Sequence, residues 1–364
     1  MLKLFEVTGF KNFEKTLKLD FSDIRDYKFN NACVENNMLS KIIIYGKNAA
    51  GKSNFGLAMF DIVSHLSGKN VTPGLYDYYL NVNNKLGYAE FHYIFSFGID
   101  EVDYKYRKDA NQTLIYETIT INSKLLFNYD YKDNSGNLDG LKELAPTLNW
   151  VFKDNDSFLK YVINNTDLPD EHSLRKTMKF VNNMLWFRNF ESKYIGYNSI
   201  SNNNNDFSFN NKTLKEFESL LHKSGIDENL IEKKDIDGIH RLYFDTKTPL
   251  PFFKVASSGT KALYTFFCWF KTASNASLVF IDEFDAYYHY ELSESIVEIL
   301  EKMQNLQVIL TSHNTNLLSN RIMRPDCYFI LTKDKLTSFA NATDRELREG
   351  HNLEKLYMSG EFNE

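Results

Sequence analysis

A chain of 364 residues with 43% hydrophobic and 25% charged side chains holds enough apolar material for one large domain or two. Its 30 Phe and 22 Tyr, set against 6 Pro, exclude a disordered chain. The 42 basic and 48 acidic residues leave a net charge of −6, so no global basic field marks a nucleic-acid binder. A local basic groove is still open, because net charge does not describe distribution.

The cysteines, Cys33, Cys268 and Cys327, are odd in number and lack metal-ligand spacing. They read as reduced core residues of a cytoplasmic protein. The opening "MLKLFEVTGFKNF" lacks the layout of a secretory signal, and no apolar run has the length of a membrane span. The expectation is a soluble, cytoplasmic protein without a membrane partner.

In chain order, residues 2–22 alternate apolar and polar side chains and predict two strands joined by a turn. Ile42 to Tyr45 reads as a buried strand, followed by a glycine loop and a helix from Lys52 to about Leu66. Residues 88–131 predict an antiparallel meander. The segments "DSFLKYVINN", "SLRKTMKFVNNMLWF" and "TLKEFESLLHKSG" predict helices, interrupted by the Asn-rich tract 198–212, which reads as a mobile loop. Strands are expected again at "IHRLYF" and "PFFKVA", then a helix, a strand, a helix and further strands to about residue 340. The closing "DRELREGHNLEKLYMSGEFNE" looks helical before fraying. The predicted class is α/β: an N-terminal lobe over 1–134, a helical insertion over 135–235 and a C-terminal lobe over 236–364.

"GKNAAGKSN" fits the G-x-x-x-x-G-K-[ST] phosphate loop, formed by Gly46, Lys47, Asn48, Ala49, Ala50, Gly51, Lys52, Ser53 and Asn54. Gly46 and Gly51 let backbone N–H groups turn toward phosphate oxygens, and the following helix adds its positive end. Lys52 suits the β- and γ-phosphates, and Ser53 a Mg²⁺ ion. An accidental match is expected about once in a hundred chains of this length, given ordinary glycine usage. The strand–loop–helix context makes an accident rarer still.

About 230 residues later, "SLVFIDEFD" ends a buried strand on Asp282 and Glu283. At the carboxyl edge of a parallel sheet Asp282 would hold Mg²⁺, and Glu283 would polarise the attacking water. Acidic residues often simply follow a buried strand, so the phosphate loop upstream gives this pair its meaning. "TSHN" ends another apolar strand on His313, placed to hydrogen-bond the γ-phosphate and the water. "SSGTKALYTFFCWF" sets Ser258 and Gly259 at a helix start, where an ordinary serine cap is the plainer reading.

Taken in order, "FEVTGFKNF", "GKNAAGKSN", "SSGTKAL", "VFIDEFDAYYH", "TSHNTNLL" and "LREGHNLEKLYMSGEF" resemble the ABC-type ATPases of the SMC/RecF/OLD branch. Within it the chain is similar to the bacterial AAA15/AAA21 ATPases of phage-defence loci, such as the RloA, AbiL, AriA and PtuA types. "SSGTK" stands where L-S-G-G-Q is usual, with Thr260 and Lys261 replacing the second Gly and the Gln. The resemblance implies an ABC-type head with an antiparallel β subdomain, ATP and Mg²⁺ as cofactors, and catalysis by Lys52, Glu283 and His313. It further implies an ATP-sandwiched homodimer or higher oligomer. Ser258 and Gly259 would then engage the partner's nucleotide, and Asp285 would lie where the chain crosses to the partner. A separate effector nuclease or toxin is the implied protein partner, since only about twenty residues follow the last core segment and leave no room for a Toprim nuclease. No Q-loop glutamine is assigned, and Gln112 follows the lobe strands only loosely.

A GTPase is unsupported, because in "LTKDKL" Asp334 falls one position early for [NT]-K-x-D. A transporter ATPase lacks the "GFKNF" opening. A RecF-like DNA-repair ATPase and a non-catalytic ATP-dependent scaffold stay open as rivals.

Overall fold

The computed structural model describes every residue except 68–73, 151–155, 189–192, 197–208, 236–237, 273–274, 287–289 and 363–364. Most of the Asn-rich tract read as a mobile loop therefore lies outside the described residues. The chain opens with Leu2–Thr8 (β1) and Leu17–Asp20 (β2), a small hairpin of Val34–Glu35 (β3) and Met38–Leu39 (β4), and Lys41–Tyr45 (β5). Helices Lys52–Met59 (α1) and Asp61–Ser67 (α2) follow the loop after β5. The meander is Ala89–Phe97 (β6), Asp100–Lys108 (β7), Leu114–Ile121 (β8), Lys124–Asp130 (β9) and Ser135–Asn137 (β10).

Next come Asp139–Leu144 (α3), Phe158–Asn165 (α4), Ser173–Asn182 (α5), Met184–Arg188 (β11), Lys193–Gly196 (β12) and Asn211–Lys223 (α6). Strands Leu230–Lys234 (β13), His240–Phe244 (β14) and Leu250–Pro251 (β15) lead to Phe252–Val255 (α7) and Ser258–Thr272 (α8). The chain then runs through Leu278–Asp282 (β16), Tyr290–Glu301 (α9), Gln307–Thr311 (β17), Tyr328–Leu331 (β18), Leu336–Ser338 (β19) and Leu353–Met358 (α10).

These elements build two seven-stranded sheets, and the predicted α/β head with an antiparallel subdomain is the architecture observed. One sheet is the antiparallel lobe, ordered β10-β9-β8-β7-β6-β1-β2. Its strands alternate because one face meets the core and the other meets water: Phe91, Tyr93 and Phe95 point in, while Glu90 and His92 are half-buried on the outer face. The second sheet is ordered β12-β11-β16-β17-β5-β18-β19, with parallel pairing from β11 through β18 and antiparallel strands at both edges. β5, β16 and β17 are buried along their whole length, as strands covered on both faces must be.

Helix α1 lies close upon β16 because Gly56 has no side chain. A Cβ there would meet the Phe280 ring at 2.8 Å. The single helix expected to Leu66 breaks at Phe60, where the Tyr93 hydroxyl reaches the carbonyls of Ala58 and Met59 at 3.1 and 3.2 Å. At the break, buried Asp61 accepts hydrogen bonds from Tyr79 (2.7 Å), Tyr106 (2.8 Å) and Lys108 (2.6 Å). This polar knot ties the phosphate-loop helices to the antiparallel lobe.

Other expectations differ in detail. "NMLWF", expected to continue a helix, is β11, whose Met184–Arg188 pairs with Leu278–Asp282 and extends the parallel sheet. The 135–235 span thus supplies core strands as well as helices. "PFFKVA" is a short strand followed by one helical turn, α7, in which Phe252 buries against Phe217, Phe244 and Tyr264. Among the described residues the tail is α-helical only over α10. The turn before it is held by Asn320, whose amide donates to the carbonyls of Arg348, Glu349 and His351.

Candidate active site

The strand order β16-β17-β5 puts three chemistry-bearing strand ends side by side at one edge of the parallel sheet. β5 delivers the glycine loop, β16 delivers Asp282 and Glu283, and β17 delivers Thr311, Ser312 and His313. This carboxyl edge is where α/β sheets bind ligands.

The loop turns back on itself through Ala50, whose N–H donates to the Lys47 carbonyl at 3.1 Å, with Ala49 at φ 62°. The N–H groups of Asn48, Ala49, Gly51, Lys52 and Ser53 have no backbone acceptor among the described residues. Such a run of unsatisfied donors at a helix start is a cradle for an anion. Gly46 is required by proximity, since a Cβ there would lie 2.6 Å from the Leu331 carbonyl oxygen. Gly51 takes φ 104°, and the Phe13 ring lies 3.0 Å from where its Cβ would be. The "GFKNF" opening thus closes directly over the phosphate loop. Asn54 is engaged there too, its amide donating to the Asn12 carboxamide oxygen. Asn48 and Ala49 are exposed, and Ser53 is half-buried.

Lys52 is 7% exposed, and its Nζ donates to the Gly46 carbonyl at 3.0 Å and contacts His313 Nε2 at 2.7 Å. An ammonium can only donate, so Nε2 is the acceptor and the imidazole carries its proton on Nδ1. Burial, and then the neighbouring Lys52 charge, hold His313 below its ordinary pKa, against Glu283, Asp285 and Asp282. Burial likewise lowers Lys52, opposed by Asp282, Glu283 and Asp285.

Asp282 is 5% exposed and accepts a 2.7 Å hydrogen bond on Oδ1 from Thr311 Oγ1. Its Oδ2 takes no hydrogen bond among the described residues. Glu283 is half-buried at φ 49°, a backbone region that non-glycine residues enter rarely. Its N–H donates to Thr311 Oγ1 at 2.7 Å. Asp285, expected where the chain crosses to a partner, accepts from its own chain's Ser312 Oγ at 2.5 Å, and burial raises its carboxyl.

Ser258 and Gly259 begin α8, but the cap belongs to the residue before them. Ser257 Oγ accepts from Thr260 N–H at 3.1 Å and pairs with Thr260 Oγ1 at 2.8 Å. Ser258 itself is exposed, its hydroxyl without a partner among the described residues. Neither Ser258 nor Gly259 hydrogen-bonds to the phosphate loop of the same chain. Gln112 sits at the β7–β8 turn of the antiparallel sheet, with φ 65° and its N–H on the Asp109 carbonyl.

The sequence reading missed Thr311, Ser312 and Ser257. Thr311 and Ser312 were legible only as polar residues ending a buried apolar strand. The closing segment supports the same strand end: Thr315 Oγ1 donates to Glu354 Oε1 at 2.9 Å, and Tyr357 stacks on Phe339.

The family model described as "AAA domain, putative AbiEii toxin, Type IV TA system" matches residues 41–319. No curated protein matches the chain in sequence. Among solved structures, it is similar to an SMC head bound to the C-winged helix domain of ScpA, at 16% identity and TM-score 0.49, covering 93% of this chain and 97% of that one. The SMC head domain from Thermotoga maritima matches at 14% and 0.49, with 93% and 98% covered. An Smc head with an extended coiled coil, bound to the C-terminal domain of ScpA derived from Pyrococcus furiosus, matches at 14% and 0.48, with 93% and 96% covered. No helix among the described residues is long and apolar enough to cross a membrane.

Proposed function

The chain belongs to the AAA_21 family of AAA domains, and on that premise we propose that it binds and hydrolyses ATP in a site shared between two copies. The observation that carries this reading is the convergence of Lys52, His313, Asp282 and Glu283 at three adjacent strand ends. The residues fit the nucleotide and its metal. Backbone donors without acceptors line the loop, Gly46 and Gly51 allow its close packing against Leu331 and Phe13, and Asp282 keeps Oδ2 available. Gly46 to Asn54 would hold the phosphates, while Ser53 and Asp282 would hold Mg²⁺, which neutralises phosphate charge.

Phosphate competes with His313 for the Lys52 ammonium. Once Lys52 turns to the β- and γ-phosphates, Nε2 of a neutral His313 is free to accept from the attacking water or donate through the other tautomer to the γ-phosphate. Glu283 orients and polarises that water. The exposed Ser258 hydroxyl and the N-terminal end of α8 suit a γ-phosphate held by a second copy. Nucleotide would close the dimer and hydrolysis would reopen it. The 135–235 segment, set between the 1–134 and 236–364 lobes, would carry recognition. The cellular role we propose is cytoplasmic: sensing phage infection and controlling a separate nuclease or toxin.

The test is phosphate release from Mg-ATP by the wild type and by Lys52→Ala, Glu283→Gln and His313→Ala variants. We expect turnover in the wild type and a loss of at least about 100-fold in Glu283→Gln with nucleotide binding retained. Negligible hydrolysis by the wild type would leave a scaffold instead. A tight complex with the product of the adjacent gene supports the effector role. Salt-sensitive binding to DNA ends without such a complex favours the RecF-like reading.

A further inference from the structure

Thr311 ends β17, the strand between the one that carries the carboxylates and the one that carries the phosphate loop. Its side chain is fully buried. The one hydroxyl serves both carboxylate residues: it donates to Asp282 Oδ1 and accepts from the Glu283 N–H, each at 2.7 Å. The Thr311 carbonyl also accepts from Phe284 N–H at 3.2 Å, so the whole turn after β16 is pinned to β17. On its other side, Ser312 N–H donates to the Ile44 carbonyl at 3.1 Å, joining this strand end to the strand that feeds the loop.

We propose that Thr311 is a positioning residue for hydrolysis, fixing the rotation of the Asp282 carboxylate and the backbone turn that aims Glu283. The argument rests on the ATPase reading above. An aspartate keeps two torsions once its backbone is set, about Cα–Cβ and about Cβ–Cγ, and the second is broad. The bond to Oδ1 restrains both torsions and leaves Oδ2 without a hydrogen bond among the described residues. Glu283 sits in the left-handed region at φ 49°, a conformation that persists in a non-glycine residue only when the surrounding structure holds it. The bond from its N–H to Thr311 Oγ1 is part of that hold. Because one oxygen atom makes both contacts, metal holding and water activation are set together.

Valine matches threonine in shape but can neither donate nor accept, so Thr311→Val leaves the Glu283 N–H without an acceptor and Asp282 Oδ1 without a donor. Outer contacts of this kind are worth about 10- to 100-fold in metal affinity or activity. Thr311→Ser keeps both bonds, and Thr311→Cys keeps weak versions of them, giving a graded series if Val folds poorly. Two readouts are measured. One is kcat and KM for ATP at saturating Mg²⁺. The other is Mn²⁺ binding by electron paramagnetic resonance with a non-hydrolysable ATP analogue.

The expected result is that kcat and Mn²⁺ affinity both fall in the order Thr, Ser, Cys, Val, reaching about 10-fold or more at Val. KM for ATP should stay within about 3-fold, and Ser should restore function to within about 3-fold of wild type. A hydrolysing wild type whose Cys and Val variants keep both kcat and Mn²⁺ affinity overturns the role of Thr311 alone. So does a series in which Ser is as impaired as Val. A wild type with no turnover and no Mn²⁺ binding overturns the ATPase reading, and this inference with it.

Discussion

Replacing Asp61 with alanine tests how the phosphate-loop helices are joined to the antiparallel lobe. The carboxylate is 2% exposed, and the Lys108 ammonium that faces it at 2.6 Å is 8% exposed. Two tyrosine hydroxyls, Tyr79 and Tyr106, also end on it. Removing Asp61 strands a buried ammonium and takes the acceptor from both phenols. Breaking a buried pair from one side costs about 3–5 kcal/mol, because the remaining charge is left without compensation. The phenols can turn toward other acceptors, so their loss is not simply added. We therefore expect about 4 kcal/mol, a large share of the roughly 5–15 kcal/mol of net stability usual for a domain. The assay is urea denaturation followed by tryptophan fluorescence and far-ultraviolet circular dichroism, with coincident transitions required before a free energy is assigned. The double variant Asp61→Leu/Lys108→Met removes both charges and should recover most of the loss. A cost below about 1 kcal/mol for Asp61→Ala, or a double variant no better than the single, would refute the reasoning.

Four further predictions concern other residues of the molecule. Gly56→Ala forces a Cβ to 2.8 Å from Phe280 and should cost about 1–3 kcal/mol by overpacking, read as a lower urea midpoint. His92 lies between Glu6 and Asp103 at 2.8 and 2.9 Å. Burial alone would lower its pKa, but the hydrogen bonds its ring donates to Asp103 and Glu6 outweigh that and lift it to about 9. Its stabilisation is therefore complete below pH 6.5 and is lost as pH rises through about 9. The loss is on the order of 3 kcal/mol as an upper bound, and His92→Gln should flatten the stability profile across that window. Ser257→Ala should cost about 1 kcal/mol of stability as a lost helix cap. Ser258→Ala should leave stability within about 0.5 kcal/mol while weakening ATP-dependent assembly, as sedimentation would show.

The site was legible where chemistry follows directly on a buried run. "IIIYGK", "LVFIDE" and "QVILTSH" each announce a strand by apolar continuity and then change to residues that strands do not need. Three such endings needed only adjacency to become one site, and the sheet order β16-β17-β5 supplies it. Features decided by distant partners were not legible. The break at Phe60 depends on a hydroxyl of Tyr93 in another sheet. "MLWF" carries on the apolar spacing of the preceding helix, and only pairing with residues nearly a hundred positions later makes it a strand. Which of two adjacent serines caps α8 depends on a rotamer, not on composition. Thr311 could not be weighed from sequence, because its importance lies in serving two residues of a neighbouring strand end.

Sedimentation velocity of the Glu283→Gln variant, with and without Mg-ATP, tests the central claim most directly. A variant that binds ATP but does not split it should accumulate in the closed state. The account predicts a shift to a dimer, or a multiple of one, only when Mg-ATP is present, and its loss when Ser258→Arg is added. An unchanged sedimentation coefficient at saturating, demonstrably bound Mg-ATP would contradict a nucleotide site shared between two copies.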